Sequence, residues 1–187
     1  MNLAKPNAWQ WLEQQVDLTR GDGVSMLLQT ARGLSHVHSK CIVHLDMKPE
    51  NIVSWDAGHD GMKFQVADFG HCKRGPKDHK GNAERVAADM VNAAIYRPLH
   101  LFYAAGAEVG AHYSFDLWAF GCIVFDVLQK HPRWRSEDGR ATRLFSGVRM
   151  NVDFITVLHG RDYRLVKHVE KDVLALIVRL QLVEQTV

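Results

Sequence analysis

Two short polar segments constrain this chain more than any other feature: His44-Leu45-Asp46-Met47-Lys48-Pro49-Glu50-Asn51, and Asp68-Phe69-Gly70, which begins 17 positions beyond Asn51. Between them lie two β-like runs, Asn51 to Trp55 and Met62 to Ala67, separated by Asp56-Ala57-Gly58-His59-Asp60-Gly61. Glycine reaches backbone angles closed to other residues, and aspartate bonds to its own backbone. The separating stretch therefore predicts a turn, and the two runs a small hairpin that joins the polar loop to the acidic turn.

Helices are predicted on both sides. Val24, Leu27, Leu28, Ala31, Leu34 and Val37 recur at three- and four-residue steps, which places them on one face of a helix over 24–37. Gly23 precedes it and Ser39-Lys40 follow. Phe115 to Leu128 is apolar nearly all round, the pattern of a central helix. A last helix is expected from Lys171 to about Val183. Residues 71–90 are polar, contain Gly75-Pro76 and Gly81-Asn82 and show no apolar period, so they read as a long exposed loop. The balance is mainly α with a minor sheet.

At 187 residues and 47% hydrophobic content, the chain holds one domain with a sizeable core. Its 23 basic and 21 acidic residues leave a formal charge of +2, too small a field to recruit nucleic acid or a membrane surface. Cys41, Cys72 and Cys122 are odd in number and widely spaced, which fits free thiols in a reducing compartment. Residues 1–10 lack a signal layout, and Leu117 to Phe125 is too short to cross a bilayer. An intracellular, soluble protein is expected.

Asp46, Asn51 and Asp68 admit a bland reading, in which they only cap turns. Their order and spacing favour another. The run His44 to Asn51 resembles the H-R-D-L-K-P-E-N catalytic loop of protein kinases, and Asp68-Phe69-Gly70 resembles their D-F-G turn, with a hairpin between as in that family. Ile95-Tyr96-Arg97-Pro98-Leu99-His100 is similar to the motif closing the activation segment, and Asp116-Leu117-Trp118-Ala119-Phe120-Gly121 to the D-x-W-x-x-G that opens the central helix. Tyr96-Arg97 leans toward the cyclin-dependent and MAP kinase-like group.

The resemblance implies a single partial kinase domain over 1–187: a protein-kinase-like C-lobe with a helical core and a small β-hairpin carrying the catalytic and metal-binding loops. Its catalytic loop would be 44–51, its metal turn 68–70 and its activation segment 68–100. Asp46 would accept the proton of a substrate hydroxyl, and Lys48, whose type at this place is similar to serine/threonine kinases, would meet the transferring phosphate. Asn51 and Asp68 would hold Mg²⁺ on the phosphates of ATP. Lys48, Glu50, Asn51, Val53 and Asp68 form the implied nucleotide site. His44, Phe69, Gly70 and Asp116 would support it, Asp116 by bonding the backbone of the catalytic loop.

Several positions depart from the family pattern. Before residue 24 nothing resembles a glycine-rich loop or a strand lysine, so the N-terminal β lobe is expected to be absent and the chain alone inactive or nearly so. Leu45 stands where most of the family has arginine, and residues 71–95 contain no Ser, Thr or Tyr, so phosphorylation there is not expected to be the on-switch. Ala93 replaces a threonine that ties the segment to the catalytic residues, and His100 replaces a glutamate. The expected function is protein serine/threonine kinase. The alternative is a non-catalytic scaffold that binds a protein partner at the N-lobe-facing surface.

Three further features have sharp and bland readings. His36, His38, Cys41 and His44 are zinc-type ligands, but histidines two apart diverge on a helix, which disfavours a zinc site. Lys73, Arg74, Lys77 and Lys80 could recruit an acidic substrate, and a solvated loop is the better account. Trp118 is expected in the core, with Trp9 and Trp11 covering the lobe-facing surface.

Overall fold

The computed structural model describes residues 6–15, 20–77, 82–93, 96–104 and 106–129. The expected helix from Lys171 to Val183, Ile95 and Lys80 lie outside them.

The first helix, α1 (Ala8–Gln14), starts on a reciprocal cap. Asn7 Oδ1 accepts the Gln10 N–H at 2.9 Å and Gln10 Oε1 accepts the Asn7 N–H at 3.0 Å, so two donors at the helix start are satisfied at once. The helix buries Ala8, Trp11 and Leu12, and Trp11 stands edge-on to Phe64 with ring centroids 4.8 Å apart. Trp11 is thus a core residue rather than a cover for an outer surface. Trp118 is buried, as its setting in an apolar helix predicts.

Helix α2 (Arg20–Ser39) is longer than its apolar pattern and turned from the expected face. Val24 and Leu28 are exposed, while Met26, Thr30, Leu34 and Val37 are buried. Thr30 joins this face because its hydroxyl donates to the Met26 carbonyl at 2.9 Å, leaving only the methyl to be packed.

The expected hairpin is present as β2 (Ile52–Asp56) and β3 (Met62–Val66), paired antiparallel from Ile52 opposite Val66 to Asp56 opposite Met62. In its turn Asp56 Oδ1 accepts the Gly58 N–H at 2.8 Å, and Gly58 and Gly61 both take φ 66°. Neither strand is left as an open edge. Pro6 O accepts both the N–H and the hydroxyl of Ser54, at 2.8 and 2.9 Å. On the other side Gln29 imitates a strand: its Oε1 accepts the Phe64 N–H at 3.0 Å and its Nε2 donates to Met62 O at 3.1 Å.

Shorter strands complete the framework. β1 (Ile42–Val43) pairs with β4 (Lys73–Arg74), and β5 (Arg85–Ala87) with β6 (Glu108–Gly110), both antiparallel. Helix α3 (Leu99–Tyr103) precedes β6, and α4 (Tyr113–Gln129) runs through the centre. It buries Phe115, Trp118, Ala119, Phe120, Cys122, Ile123, Val124 and Val127, in keeping with its all-round apolar sequence. At Gly75 the chain crosses its start so closely that a Cβ would lie 2.8 Å from the Tyr113 ring and from Val43.

Two expectations are corrected here. A mainly α lobe with one hairpin and no N-terminal β lobe does not describe the chain: among the described residues there are three two-stranded sheets, and the N-terminal Pro6-Asn7 is itself drawn onto β2, with Asn7 bridged to Val53. Residues 71–90 are not one exposed loop either, since they hold β4, β5 and the buried Val86 and Ala88. Strands of two or three residues are too short to display an alternating pattern, and their backbone pairing needs none.

Candidate active site

The site is built outward from Asp116, fully buried in the first turn of α4. Its Oδ2 accepts the His44 N–H at 2.7 Å, its Oδ1 accepts the Leu45 N–H at 2.8 Å, and the His38 Nε2 lies 2.8 Å from Oδ2. A buried carboxylate is tolerable only when paired and hydrogen-bonded, and these three contacts meet that demand. They also hold Leu45 at φ 65°, a left-handed conformation that costs a bulky residue on the order of 1–3 kcal/mol. The Leu45 side chain is buried with Val43, Val86, Val91 and Leu101.

His44 is likewise fully buried. Its Nδ1 accepts the Asp46 N–H at 3.3 Å while its Nε2 lies 3.0 Å from the Ala67 carbonyl, an arrangement that requires the proton on Nε2. One imidazole therefore links the loop to the end of β3. Its ring also meets that of Phe69, with centroids 5.1 Å apart.

Asp46, Lys48 and Asn51 come together. Asp46 Oδ2 accepts from Lys48 Nζ at 2.6 Å and from Asn51 Nδ2 at 2.8 Å, and Asn51 Nδ2 also donates to the Asp46 carbonyl at 2.8 Å. Both amide protons of Asn51 thus face Asp46, which turns its Oδ1 the other way as an oxygen donor. The Asn51 carbonyl accepts the Ala67 N–H at 2.8 Å, so Asp68 emerges directly beside this cluster. Asp68 is exposed, at φ 62°, and its Oδ1 accepts the Gly70 N–H at 3.3 Å. A Cβ at residue 70 would sit 3.3 Å from that oxygen, a tight contact. Glu50 lies in the short 3₁₀ turn Pro49–Asn51, and Val53 is half-buried on β2 opposite Gln65.

Asn51 Oδ1 and the Asp68 carboxylate are hard oxygen donors, too few to cage a cation alone but suited to Mg²⁺ completed by phosphate oxygens and water. Among the described residues no group of three or more His, Cys, Asp or Glu side chains is placed to hold a metal. His38 is committed to Asp116 and His36 is exposed, so the zinc-type cluster does not assemble. All three cysteines are free thiols. No helix among the described residues is long and apolar enough to cross a membrane.

Sequence reasoning missed the braces. Asn92 bonds both the loop from His44 to Asn51 and α4, and Arg97 clasps the segment between them: its Nε donates to Val91 O at 2.8 Å, and its Nη2 to Asn92 O at 3.1 Å and to Asp89 O. Burial lowers the Arg97 pKa from its ordinary value while the Asp89 charge opposes the shift, and the guanidinium stays charged. Tyr113 donates to Pro76 O at 2.8 Å, and burial first, then its contact with Cys41, raises its pKa. Of the basic cluster, Lys73 is paired with Glu84 at 2.8 Å. Asn92 could have been flagged only as a residue tolerant of left-handed backbone; nothing in the sequence announces its partners.

A profile of the protein kinase domain matches residues 2–186. The chain is 33% identical over 135 residues to the serine/threonine-protein kinase zyg-8 of Caenorhabditis elegans, covering 68% of this chain and 15% of that protein. It is 31% identical over 130 residues to cyclin-dependent kinase 8 of Drosophila melanogaster, covering 67% and 27%. With mitogen-activated protein kinase 10 of Arabidopsis thaliana it shares 24% over 136 residues, 73% of this chain and 31% of that one. The chain thus spans less than a third of the length of these relatives. Among solved structures, a chain of the yeast RNA Pol II CTD kinase CTDK-1 complex matches in fold, with a TM-score of 0.55 at 20% identity over 72% of this chain and 40% of that one. Because the domain profile runs from residue 2 to residue 186, it gives no support to an absent N-terminal lobe.

Proposed function

This chain belongs to the protein kinase domain family, and from that premise we propose that it is a serine/threonine protein kinase that passes the γ-phosphate of ATP to a protein hydroxyl. The observation that carries this reading is the cluster in which Asp46 Oδ2 meets Lys48 Nζ at 2.6 Å and Asn51 Nδ2 at 2.8 Å, with Asp68 directly alongside. Phosphoryl transfer asks for positioning and charge neutralisation more than covalent help, and this cluster offers both.

In this reading Asp46 orients the substrate hydroxyl and takes its proton as the hydroxyl oxygen bonds the γ-phosphorus and the bond from that phosphorus to the β–γ bridging oxygen breaks, releasing ADP. Asn51 fixes the direction of Asp46 through two bonds. Lys48 holds the Asp46 carboxylate until substrate binds, and its mobile ammonium then faces the transferring phosphate. Asn51 Oδ1 and the Asp68 carboxylate would hold Mg²⁺, which would supply positive charge to the phosphates.

The test is thermal unfolding with and without Mg-ATP, together with transfer of labelled phosphate to serine- and threonine-containing peptides. A rise in melting temperature that needs both Mg²⁺ and ATP and disappears in Asp68→Ala is the expected result. A flat response, with no labelled peptide, would replace this reading with a non-catalytic binding module.

A further inference from the structure

Asn92 has no part in the chemistry above, yet its polar groups converge on the residues that do. It is 4% exposed and sits at φ 53°, a left-handed conformation that asparagine tolerates better than most residues. Its N–H donates to the Leu45 carbonyl at 2.6 Å. Its Oδ1 accepts the Met47 N–H at 3.0 Å, and its Nδ2 donates to the Phe115 carbonyl at 3.1 Å. Its own carbonyl accepts from Arg97 at 3.1 Å.

Leu45 and Met47 flank Asp46. The bonds from Asn92 therefore grip the catalytic loop on both sides of the proposed base, and the Phe115 bond ties that grip to the helix that also carries Asp116. In this chain Leu45 is a buried apolar residue, and residues 71–95 offer no hydroxyl for a phosphate. We propose that Asn92 is a positioning residue: it sets the direction of Asp46 and Lys48 by permanent hydrogen bonds, so that the loop is held in working geometry with no modification of the segment. The inference rests on the kinase reading for its consequence, and on the four bonds for its structure.

The side chain and the backbone can be tested separately. Asn92→Gly keeps the left-handed backbone and removes both side-chain bonds, whereas Asn92→Asp keeps an acceptor for Met47 and loses the donor to Phe115. In the full chain, amide hydrogen exchange at Met47 is expected to quicken about tenfold or more in Asn92→Gly, the effect of losing one buried bond. It should stay near the parent rate in Asn92→Asp. The Phe64 and Ala67 amides, held by Gln29 and Asn51, should be unchanged in both. With Mg-ATP and a serine peptide, Asn92→Gly should lose roughly tenfold in kcat with KM for ATP within about twofold, since Asn51 and Asp68 are untouched.

Unchanged Met47 exchange in Asn92→Gly would overturn the proposal, as would quickened exchange with kcat intact. A variant that loosens Phe64 and Ala67 as well, with kcat and KM moving together, would reduce Asn92 to a general stabiliser and also overturn it. If the parent chain transfers no phosphate, the kinase reading falls, and the exchange rate at Met47 alone decides the brace.

Discussion

The two halves of the proposed site are built on opposite terms. The loop from His44 to Asn51 is largely buried and held from outside by Asp116, Asn92 and the Ala67 carbonyl, while the Asp68-Phe69-Gly70 turn is exposed and held by the Asp68-to-Gly70 bond, the Cys72 N–H on the Phe69 carbonyl and the Phe69 ring against His44. Both contain a non-glycine residue in left-handed backbone, Leu45 at φ 65° and Asp68 at φ 62°. Strain of this kind persists only where surroundings over-determine it. At Leu45 they do so through a buried carboxylate; at Asp68 the residue type itself tolerates the angle. The part that would handle a proton is thus pre-set, and the part that would meet a cation is open to it.

The largest expected break in this contrast is chemical. Asp46→Asn should lower kcat by roughly 10²–10⁴ fold, the usual worth of a positioned base, with Mg-ATP affinity held within about twofold, as read by steady-state kinetics and calorimetry. Comparable losses in affinity would mean that the two halves are not separable. Next comes Asp116→Ala. It leaves the His44 and Leu45 N–H groups buried without an acceptor and should cost about 3–5 kcal/mol in urea unfolding. A cost near zero would show that the loop does not depend on that anchor. On the open side, Asp68→Asn keeps the tolerance for left-handed backbone, so unfolding stability should move by no more than about 0.5 kcal/mol while stabilisation by Mg-ATP is lost.

The same contrast explains what could be read in the sequence. The hairpin of β2 and β3 was legible because Gly58 and Gly61 mark its turn, and the meeting of Asp46, Lys48 and Asn51 because one short loop carries all three. Helix α4 was legible because its apolar residues leave no other place for it. The buried face of α2 was legible only in part: Leu34 and Val37 are buried and Leu27 and Ala31 pack on the core, but Thr30, whose hydroxyl bonds the Met26 carbonyl, packs like an apolar residue, and Val24 and Leu28 are exposed. His38, Asn92 and Gln29 were hidden for a different reason. Each bonds backbone or side-chain groups brought near only by folding, His38 across 78 residues and Asn92 across 45. No local pattern encodes such partners. The expectation of an absent β lobe failed because it leaned on missing short motifs, whereas the domain match extends along nearly the whole chain.

The smallest expected effect lies on the exposed side, where Lys73 and Glu84 pair at 2.8 Å just beyond the Asp68-Phe69-Gly70 turn. The Lys73 hydrogen bond lowers the Glu84 pKa from its ordinary 4.5, with help from the Arg74 N–H, and Glu84 in turn raises Lys73 above 10.5. A lowered carboxylate contributes stability above its ordinary value and loses it as pH falls through the folded value; a raised ammonium contributes below its ordinary value and loses it as pH rises through the folded one. The pair's contribution is therefore full between about pH 4.5 and 10.5 and fades only beyond those limits, as each group passes its shifted folded value. Both groups are in water, where salt screens them. Melting curves of the chain and of Glu84→Gln should differ slightly within that window at low salt and coincide in 1 M salt or in acid below the folded Glu84 value. A difference that survives salt would mean that this segment is held as firmly as the loop from His44 to Asn51, and the division between a pre-set and an open half would have to be redrawn.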